Sequence, residues 1–263
     1  KIIDENKDKK ITLDLNGHKV TTTQDITNYS NLTIVDSSQS EEKQEDVGTG
    51  VGTLRFIKNN GLINENELTV SGGRFESTVD VAITNNKTMI TNGGTFNVSN
   101  IAIRNVSSLT INDINIEKSV TGVNNVSGHV EMNDGYIYST DNGIYNGSFT
   151  MNGGEIYSEN NGTSGTSSGY GSVILNDGKI TAVNGHAAYR TWYANITVNG
   201  GEYTSLNNIA IKCNYNIYIY GGTITGTIVV EDGAFTNGIN ELIYGNTTVD
   251  GEDVKIYGTN TYV

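Results

Sequence analysis

Residues 149–156 read Phe-Thr-Met-Asn-Gly-Gly-Glu-Ile, and the fold can be worked out from this segment. Apolar and polar residues alternate up to Met151, as in a strand with one buried face, and Asn-Gly-Gly is typical of a tight turn. The same pattern of strand, turn and large closing residue recurs along the chain. The closing residues are Phe75, Phe96, Ile116, Ile137, Ile156, Ile180, Tyr203, Ile224 and Phe235. Their intervals are 21, 20, 21, 19, 24, 23, 21 and 11 residues, which indicates an internal repeat of about 21 residues.

A unit of this size cannot bury its own apolar face, so the repeats are expected to stack as coils of a solenoid. A second repeated column has the same period, with a small residue, an apolar one, a variable one and usually Asn, as in residues 82–85. Stacking predicts ladders of equivalent side chains. The closing residues form one ladder. A second ladder, inside the coil, would contain Ile83, Ile103, Val123, Ile144, Tyr189 and Ile211. A third, at a corner, would contain Asn92, Asn112, Asn133, Asn152, Asn176 and Asn199.

The composition supports an all-β chain. It contains 32 Gly and no Pro, and Ile, Val, Thr, Tyr and Asn take the place of good helix formers, which excludes an all-α fold. The formal net charge of -13 disfavours binding to nucleic acid or to an anionic membrane surface. No segment approaches the roughly 18 apolar residues that span a bilayer. We therefore expect no nucleic-acid partner and no membrane insertion.

The repeat predicts one domain over residues 1–263, which we interpret as a fragment of a larger secreted protein. Residues 1–46 would form N-terminal coils with an acidic insertion at 36–46, residues 47–227 regular coils, and residues 228–263 irregular C-terminal coils. An extra loop at residues 160–170 would explain the 24-residue interval. The acidic insertion is expected to be a solvated loop, with calcium binding as the alternative. We expect no other cofactor.

Two segments, Ile11–Val20 and Leu32–Ser38, together with the repeated Asn-Gly-Gly and Asn-Asp-Gly units, resemble a single-stranded right-handed parallel β-helix. The resemblance is to the pectate-lyase-like superfamily, and in particular to repeat regions of cell-surface proteins of Gram-positive bacteria. It implies a solenoid of about 10–12 coils. It also implies a non-catalytic extracellular module on the bacterial cell surface, an adhesin or a rigid stalk. Such a module would be monomeric as a fragment and would bind a host or environmental glycan or a protein ligand.

The resemblance also raises the question of catalysis, because enzymes with this fold cleave acidic polysaccharides. They use carboxylates that hold calcium and an Arg or Lys that accepts a proton. The arginines of this chain do not stand one coil from matched Asp columns, and its corner Asp residues occupy turn positions. The three histidines fall at unrelated positions of the repeat. We therefore predict no catalytic residue and no metal-binding residue, with a calcium-dependent polysaccharide lyase as the less favoured alternative.

One outward column indicates a candidate ligand-binding strip. The variable position of the second repeated column holds basic and aromatic residues, and further aromatic residues follow it. The strip consists of Arg104, Tyr145, Arg190, Trp192, Tyr193, Lys212 and Tyr215. Aromatic rings stack on sugar rings while Arg and Lys bind hydroxyls or carboxylates, so the strip predicts a carbohydrate-binding module. The alternative is that these are ordinary outward residues of exposed strands, with Trp192 packed against the next coil.

Overall fold

Three strands per coil wind the chain into an all-β solenoid. The computed structural model describes residues 8–38, 50–58, 61–165, 171–191, 194–230, 235–237, 254–257 and 260–262. Within these ranges each strand pairs in parallel with an equivalent strand one coil away, and the pairings define three faces, named A, B and C in chain order. Eleven strands lie on each face, so the described residues form eleven coils. This confirms the predicted stacking and its period of about 21 residues. No helix in these ranges is long and apolar enough to cross a membrane.

Most strands belong to one face, and four continue around a corner. The strands of face A alone are Lys10–Asp14, Asn31–Val35, Glu67–Val70, His129–Met132, Ser148–Met151, Val173–Leu175, Ile196–Val198, Ile217–Ile219 and Phe235–Asn237. Those of face B alone are Lys19–Thr22, Thr53–Phe56, Arg74–Ser77, Tyr136–Ser139, Glu155–Ser158, Lys179–Ala182 and Val254–Tyr257. Those of face C alone are Ile26–Asn28, Leu62–Asn64, Val81–Asn85, Ile101–Asn105, Thr121–Asn125, Asn142–Tyr145, Asn161–Gly165, Ala188–Arg190 and Asn260–Tyr262. The strands that join A to B are Thr88–Val98 and Ser108–Lys118, and those that join B to C are Glu202–Cys213 and Gly222–Val230.

The ladder of closing residues lies inside face B, as predicted from Phe75 to Ile224. Its members are fully buried, and the rings of Phe75 and Phe96 stack with centroids 4.6 Å apart. The inclusion of Phe235 is wrong. This residue pairs with Ile217 on face A, and Ile256 pairs with Ile224 instead. The short interval of 11 residues therefore marks a strand on a different face.

The inner ladder of face C departs from the prediction at Tyr189. The register pairs Ile144 with Thr163, Thr163 with Ala188, and Ala188 with Ile211. Two small, fully buried residues thus occupy ladder positions where a large apolar residue was expected. Because neighbouring residues of a strand face opposite sides, Tyr189 lies on the outer side.

The corner between faces A and B carries the predicted asparagine ladder. From Asn112 to Asn199, each Nδ2 donates to the Oδ1 of the preceding rung at 2.7–2.8 Å. The turn beside the ladder needs glycine. Gly154 has φ of +82°, and a Cβ there would lie 2.7 Å from Met132 Cε and 2.8 Å from the carbonyl oxygen of Gly135. The repeated Asn-Gly-Gly sequence therefore meets both a hydrogen-bonding and a steric requirement of this corner.

The corner between faces C and A holds a second asparagine ladder, which was not predicted and which is completely buried. Its rungs are Asn28, Asn64, Asn85, Asn105 and Asn125. Each Nδ2 donates to the Oδ1 of the following rung at 2.7–2.9 Å, in the opposite direction to the outer ladder. The ladder ends at Asn125, and Asn146 in the next coil adopts a left-handed φ of 60°. The equivalent position then holds Gly165, Arg190 and Cys213.

Two expectations about insertions fall partly on the described residues. The start of the acidic insertion is anchored by Asp36, whose carboxylate accepts backbone N–H groups of Gly17 at 2.8 Å and Gly52 at 2.6 Å. Burial works to raise the pKa of Asp36, but these hydrogen bonds hold it below its ordinary value. Residues 39–46 lie outside the described ranges. The loop expected from residue 160 is corrected, since Asn161–Gly165 is a strand, and residues 166–170 lie outside.

Candidate ligand-binding face

Face C presents one outward side chain per coil in a continuous column, here called the face C column. Strand register aligns Thr84, Arg104, Asn124, Tyr145, Ser164, Tyr189 and Lys212. Arg104, Tyr145 and Lys212 therefore share a column, as the sequence predicted. Neighbouring members are one strand spacing apart, about 4.8 Å. The column runs parallel to the solenoid axis.

Arg190 does not belong to this column, which corrects the predicted strip. It is 2 % exposed and lies on the inner side of its strand. Its Nε donates to the carbonyl oxygen of Gly171 at 3.2 Å, and its Nη2 donates to Thr163 Oγ1 at 3.0 Å. Gly165, one coil earlier, leaves room for the side chain, because a Cβ there would lie 2.9 Å from Arg190 Cδ. The predicted column is wrong by one residue in this coil, and Tyr189 is the residue that faces outward.

Burial also changes the acidity of Arg190. Removal from water disfavours the cation and lowers its pKa to about 9, while the neighbouring Cys213 opposes the shift. The guanidinium group still carries its charge at neutral pH. Its hydrogen bonds go to the interior, so it holds neighbouring coils together rather than facing a ligand.

The remaining residues of the predicted strip lie elsewhere. Tyr215 is 38 % exposed and lies between the strands Glu202–Cys213 and Ile217–Ile219, outside the column. Trp192 and Tyr193 lie outside the described residues. The structure thus brings together three of the seven predicted residues, and it adds Tyr189.

A groove of about 370 Å³ lies beside the face C column. One wall consists of column residues Tyr145, Ser164 and Tyr189. The other wall includes Asn142, Asn160, Asn161, His186 and Asn208. These residues belong to successive coils, so the groove follows the solenoid axis. Its volume is within the range of small-molecule sites, and aromatic rings, amides and a hydroxyl line it.

The aromatic end of the groove is built from three side chains. The rings of His186 and Tyr189 lie 5.0 Å apart with 49° between their planes, and Lys212 Nζ lies 5.6 Å from the centroid of the Tyr189 ring. Burial lowers the pKa of His186, a hydrogen bond with the carbonyl oxygen of Ile209 opposes the shift, and the charge of Lys212 adds to it. His186 is therefore neutral at pH 7. With Nδ1–H donated to Ile209 at 2.8 Å, Nε2 is the hydrogen-bond acceptor of the ring.

The amide wall is held in place by hydrogen bonds. Ser164 Oγ donates to Asn142 Oδ1 at 2.6 Å, and Asn161 Oδ1 accepts the backbone N–H of His186 at 3.0 Å. In the column itself, Asn124 Oδ1 is buried without a hydrogen-bond partner among the described residues. Asn124 does not line the groove. The fixed amides of the groove suit a ligand that carries many hydroxyl groups, because each hydroxyl both donates and accepts.

Sequence reasoning missed Tyr189, His186 and the asparagines of the groove. Tyr189 could have been found by aligning residues 187–190 with residues 162–165, where both segments begin with two small residues. The asparagines give no separate signal, because the chain is rich in Asn throughout.

Two further findings concern metal ions and known proteins. Among the described residues, no three His, Cys, Asp or Glu side chains come together in an arrangement that could hold a metal ion. The chain matches no protein-family model, no curated protein and no solved structure.

Proposed function

We propose that the chain is a non-catalytic module of the bacterial cell surface, an adhesin or rigid stalk that presents a binding face outside the cell. The observation that carries the proposal is the continuous stack of coils with hydrogen-bonded asparagine ladders at two corners. We also propose that the chain is related to pectate-lyase-like β-helices and to surface repeats of Gram-positive bacteria. A glycan or protein partner would bind the side of the rod.

The stacked coils make a rod that resists bending. Eleven coils at about 4.8 Å each give a rod about 50 Å long. Each coil pairs with its neighbours on three faces, and buried amides tie successive coils together, so bending requires several hydrogen bonds to break at once. A rod of this kind holds its outer columns at fixed spacing. Fixed spacing favours a ligand with its own repeat, because binding does not have to order the protein.

The proposal is tested with the full chain in two assays. A glycan array, run with and without calcium, and a panel of immobilised extracellular proteins measure binding; we expect at least one ligand to be retained. Incubation with polygalacturonate measures the absorbance of unsaturated product, and we expect no increase over a buffer control. An increase would replace the proposal with a polysaccharide lyase. Silence on both binding panels would count against a binding face.

A carbohydrate-binding module is the second candidate function, and the groove of face C favours it. Tyr145 and Tyr189 are two coils apart in the column, about 10 Å, which an extended disaccharide unit can span. A linear glycan along the axis could place alternate rings against these two side chains. Ser164 between them and the amides opposite would bind its hydroxyls, and Lys212 would extend the site by one coil.

The groove is tested by Tyr189→Ala, with Tyr136→Ala as the matched control. Tyr136 is an exposed tyrosine of face B, 38 % accessible. For any glycan that the wild type retains, we expect Tyr189→Ala to weaken affinity about tenfold, equivalent to 1.4 kcal/mol for one lost stacking and cation–π contact. The control should retain wild-type affinity. Equal losses in both variants would contradict binding in the groove.

A further inference from the structure

Face B carries a cluster of positive charge at coils 1–5, away from the groove of face C. Lys19 and Arg55 lie 3.6 and 3.8 Å from the carboxylate of Glu76, and Arg74 lies 3.3 Å from the same carboxylate. Arg74 also contacts Glu117 at 2.9 Å. With Lys118, the cluster contains four cations and two carboxylates. It therefore carries a local charge of +2 in a chain whose formal net charge is -13.

Three members of the cluster, Arg55, Glu76 and Lys118, line a pocket of about 200 Å³. Arg55 and Lys118 line it together with polar residues that carry hydroxyl or amide groups, Ser77, Thr78, Asn97 and Ser99. Arg55 is 40 % exposed, and its only ion pair among the described residues is the long contact with Glu76. Its guanidinium group is thus available to a ligand at the mouth of the pocket.

A β-bulge turns Lys118 towards this pocket. Phe96 pairs with Ile116, but the next residue, Asn97, pairs with Lys118, so Glu117 is the extra residue of the strand. A bulge of this kind allows two successive side chains to face the same side. Glu117 meets Arg74 while Lys118 lines the pocket. Without the bulge, strand alternation would place one of these two side chains in the core.

We infer that the pocket between Arg55 and Lys118 binds the sulfate ester group of a glycan. Arg55 and Lys118 stand at the two ends of one outward column, with Glu76 and Asn97 between them. Together with the hydroxyl and amide groups of the lining, the two cations offer more donors than the two oxygens of a carboxylate can accept. A sulfate ester presents three free oxygens and a single negative charge. The carboxylate of Glu76, which also lines the pocket, disfavours a dianion such as a phosphate monoester.

Binding of a sulfated hexasaccharide to the full chain, measured by calorimetry, tests the inference. The chemically desulfated hexasaccharide is the ligand control. We expect the double variant Arg55→Gln/Lys118→Gln to bind at least tenfold more weakly than the wild type. The charge-matched control Lys87→Gln/Lys179→Gln removes two exposed cations outside the pocket and should stay within twofold. Affinity should fall as salt increases, because salt screens exposed charges.

Competition with inorganic sulfate distinguishes a sulfated glycan from free sulfate as the source of the bound sulfate group. If it competes only weakly, the saccharide contributes to binding and the glycan is the ligand. If it binds as tightly as the hexasaccharide, the glycan assignment is overturned. Equal affinity for sulfated and desulfated sugar, or wild-type affinity in the double variant, would also overturn it. Amide resonances of Asn97 and Ser99 should shift on titration in the wild type, a readout that does not depend on any variant folding.

The inference is independent of the groove on face C. Tyr189→Ala should leave binding of the sulfated sugar unchanged. A loss in that variant but not in Arg55→Gln/Lys118→Gln would move the ligand to face C and overturn the pocket.

Discussion

Replacing one rung of the buried ladder, Asn105→Ala, should strongly destabilise the solenoid. Asn105 Oδ1 accepts from Asn85 at 2.7 Å, and its Nδ2 donates to Asn125 Oδ1 at 2.9 Å. The same Nδ2 contacts the carbonyl oxygens of Ser107 at 3.1 Å and His129 at 3.2 Å. Alanine removes these four contacts, and the buried Asn125 Oδ1 loses its Asn105 donor. At about 1 kcal/mol for each, the free energy of unfolding should fall by roughly 3–5 kcal/mol.

The matched control is Asn133→Ala in the outer ladder. Asn133 makes the same pair of amide contacts, donating to Asn112 and accepting from Asn152, both at 2.8 Å. Water can replace these partners at the surface, so we expect a loss of about 1 kcal/mol or less. Both variants lose the same pair of amide contacts, and Asn105→Ala differs in its burial and in the two backbone carbonyl contacts that it also removes.

Urea unfolding followed by far-UV circular dichroism measures both losses. Repeat proteins can unfold in more than one step, so the midpoints and slopes of each variant are compared with those of the wild type before free energies are extracted. If Asn105→Ala costs no more than Asn133→Ala, the buried ladder does not stabilise the fold as argued.

Three further predictions concern the interior. Gly143→Ala should cost about 1–3 kcal/mol, seen as a lower urea midpoint, because its Cβ would lie against Ile156 Cγ2 and 2.5 Å from the carbonyl oxygen of Gly162. Burial lowers the pKa of His186 below 6.5 in the folded protein, so the unfolded chain binds a proton more readily. The contribution of neutral His186 to the free energy of unfolding is therefore complete above about pH 6.5 and falls as the pH drops towards the folded pKa. His186→Gln should show a smaller loss of midpoint between about pH 7.5 and 5.5 than the wild type. Burial raises the pKa of the Cys213 thiol, so it should react with Ellman's reagent in urea but not in buffer; rapid reaction in buffer would contradict its burial.

The sequence predicted face B well because a turn marks its register. Each Asn-Gly-Gly or Asn-Asp-Gly turn precedes its closing residue by a fixed number of positions, so Phe75 to Ile224 could be aligned without knowledge of the structure. Phe235 follows a similar sequence, Asp232-Gly233-Ala234, but belongs to a strand of another face. A local pattern identifies a corner of the coil, but not which corner it is.

Face C has no such marker, and the candidate site was predicted only in part. At residues 187–190, apolar character favoured Tyr189 for the interior and charge favoured Arg190 for the surface. The structure reverses both, because Thr163, Ala188 and Gly165 leave space inside the coil that the long arginine fills. A slip of one residue exchanges the two sides of a strand. The number of residues from one coil to the next, rather than residue type, would have been needed to detect this shift of one residue.

The opposite directions of the two asparagine ladders affect the electrostatics of the rod. Four amide hydrogen bonds of the buried ladder point towards the C-terminal coils, and five of the outer ladder point towards the N-terminal coils. Side-chain dipoles aligned in one direction would add along the axis, as peptide dipoles do in an α-helix. The buried ladder runs from Asn28 to Asn125 and the outer ladder from Asn92 to Asn199, so the two overlap in only two coils. Their Nδ2 ends, which are the positive ends of the amide dipoles, meet there in the middle of the rod, and the negative Oδ1 ends point towards its two ends.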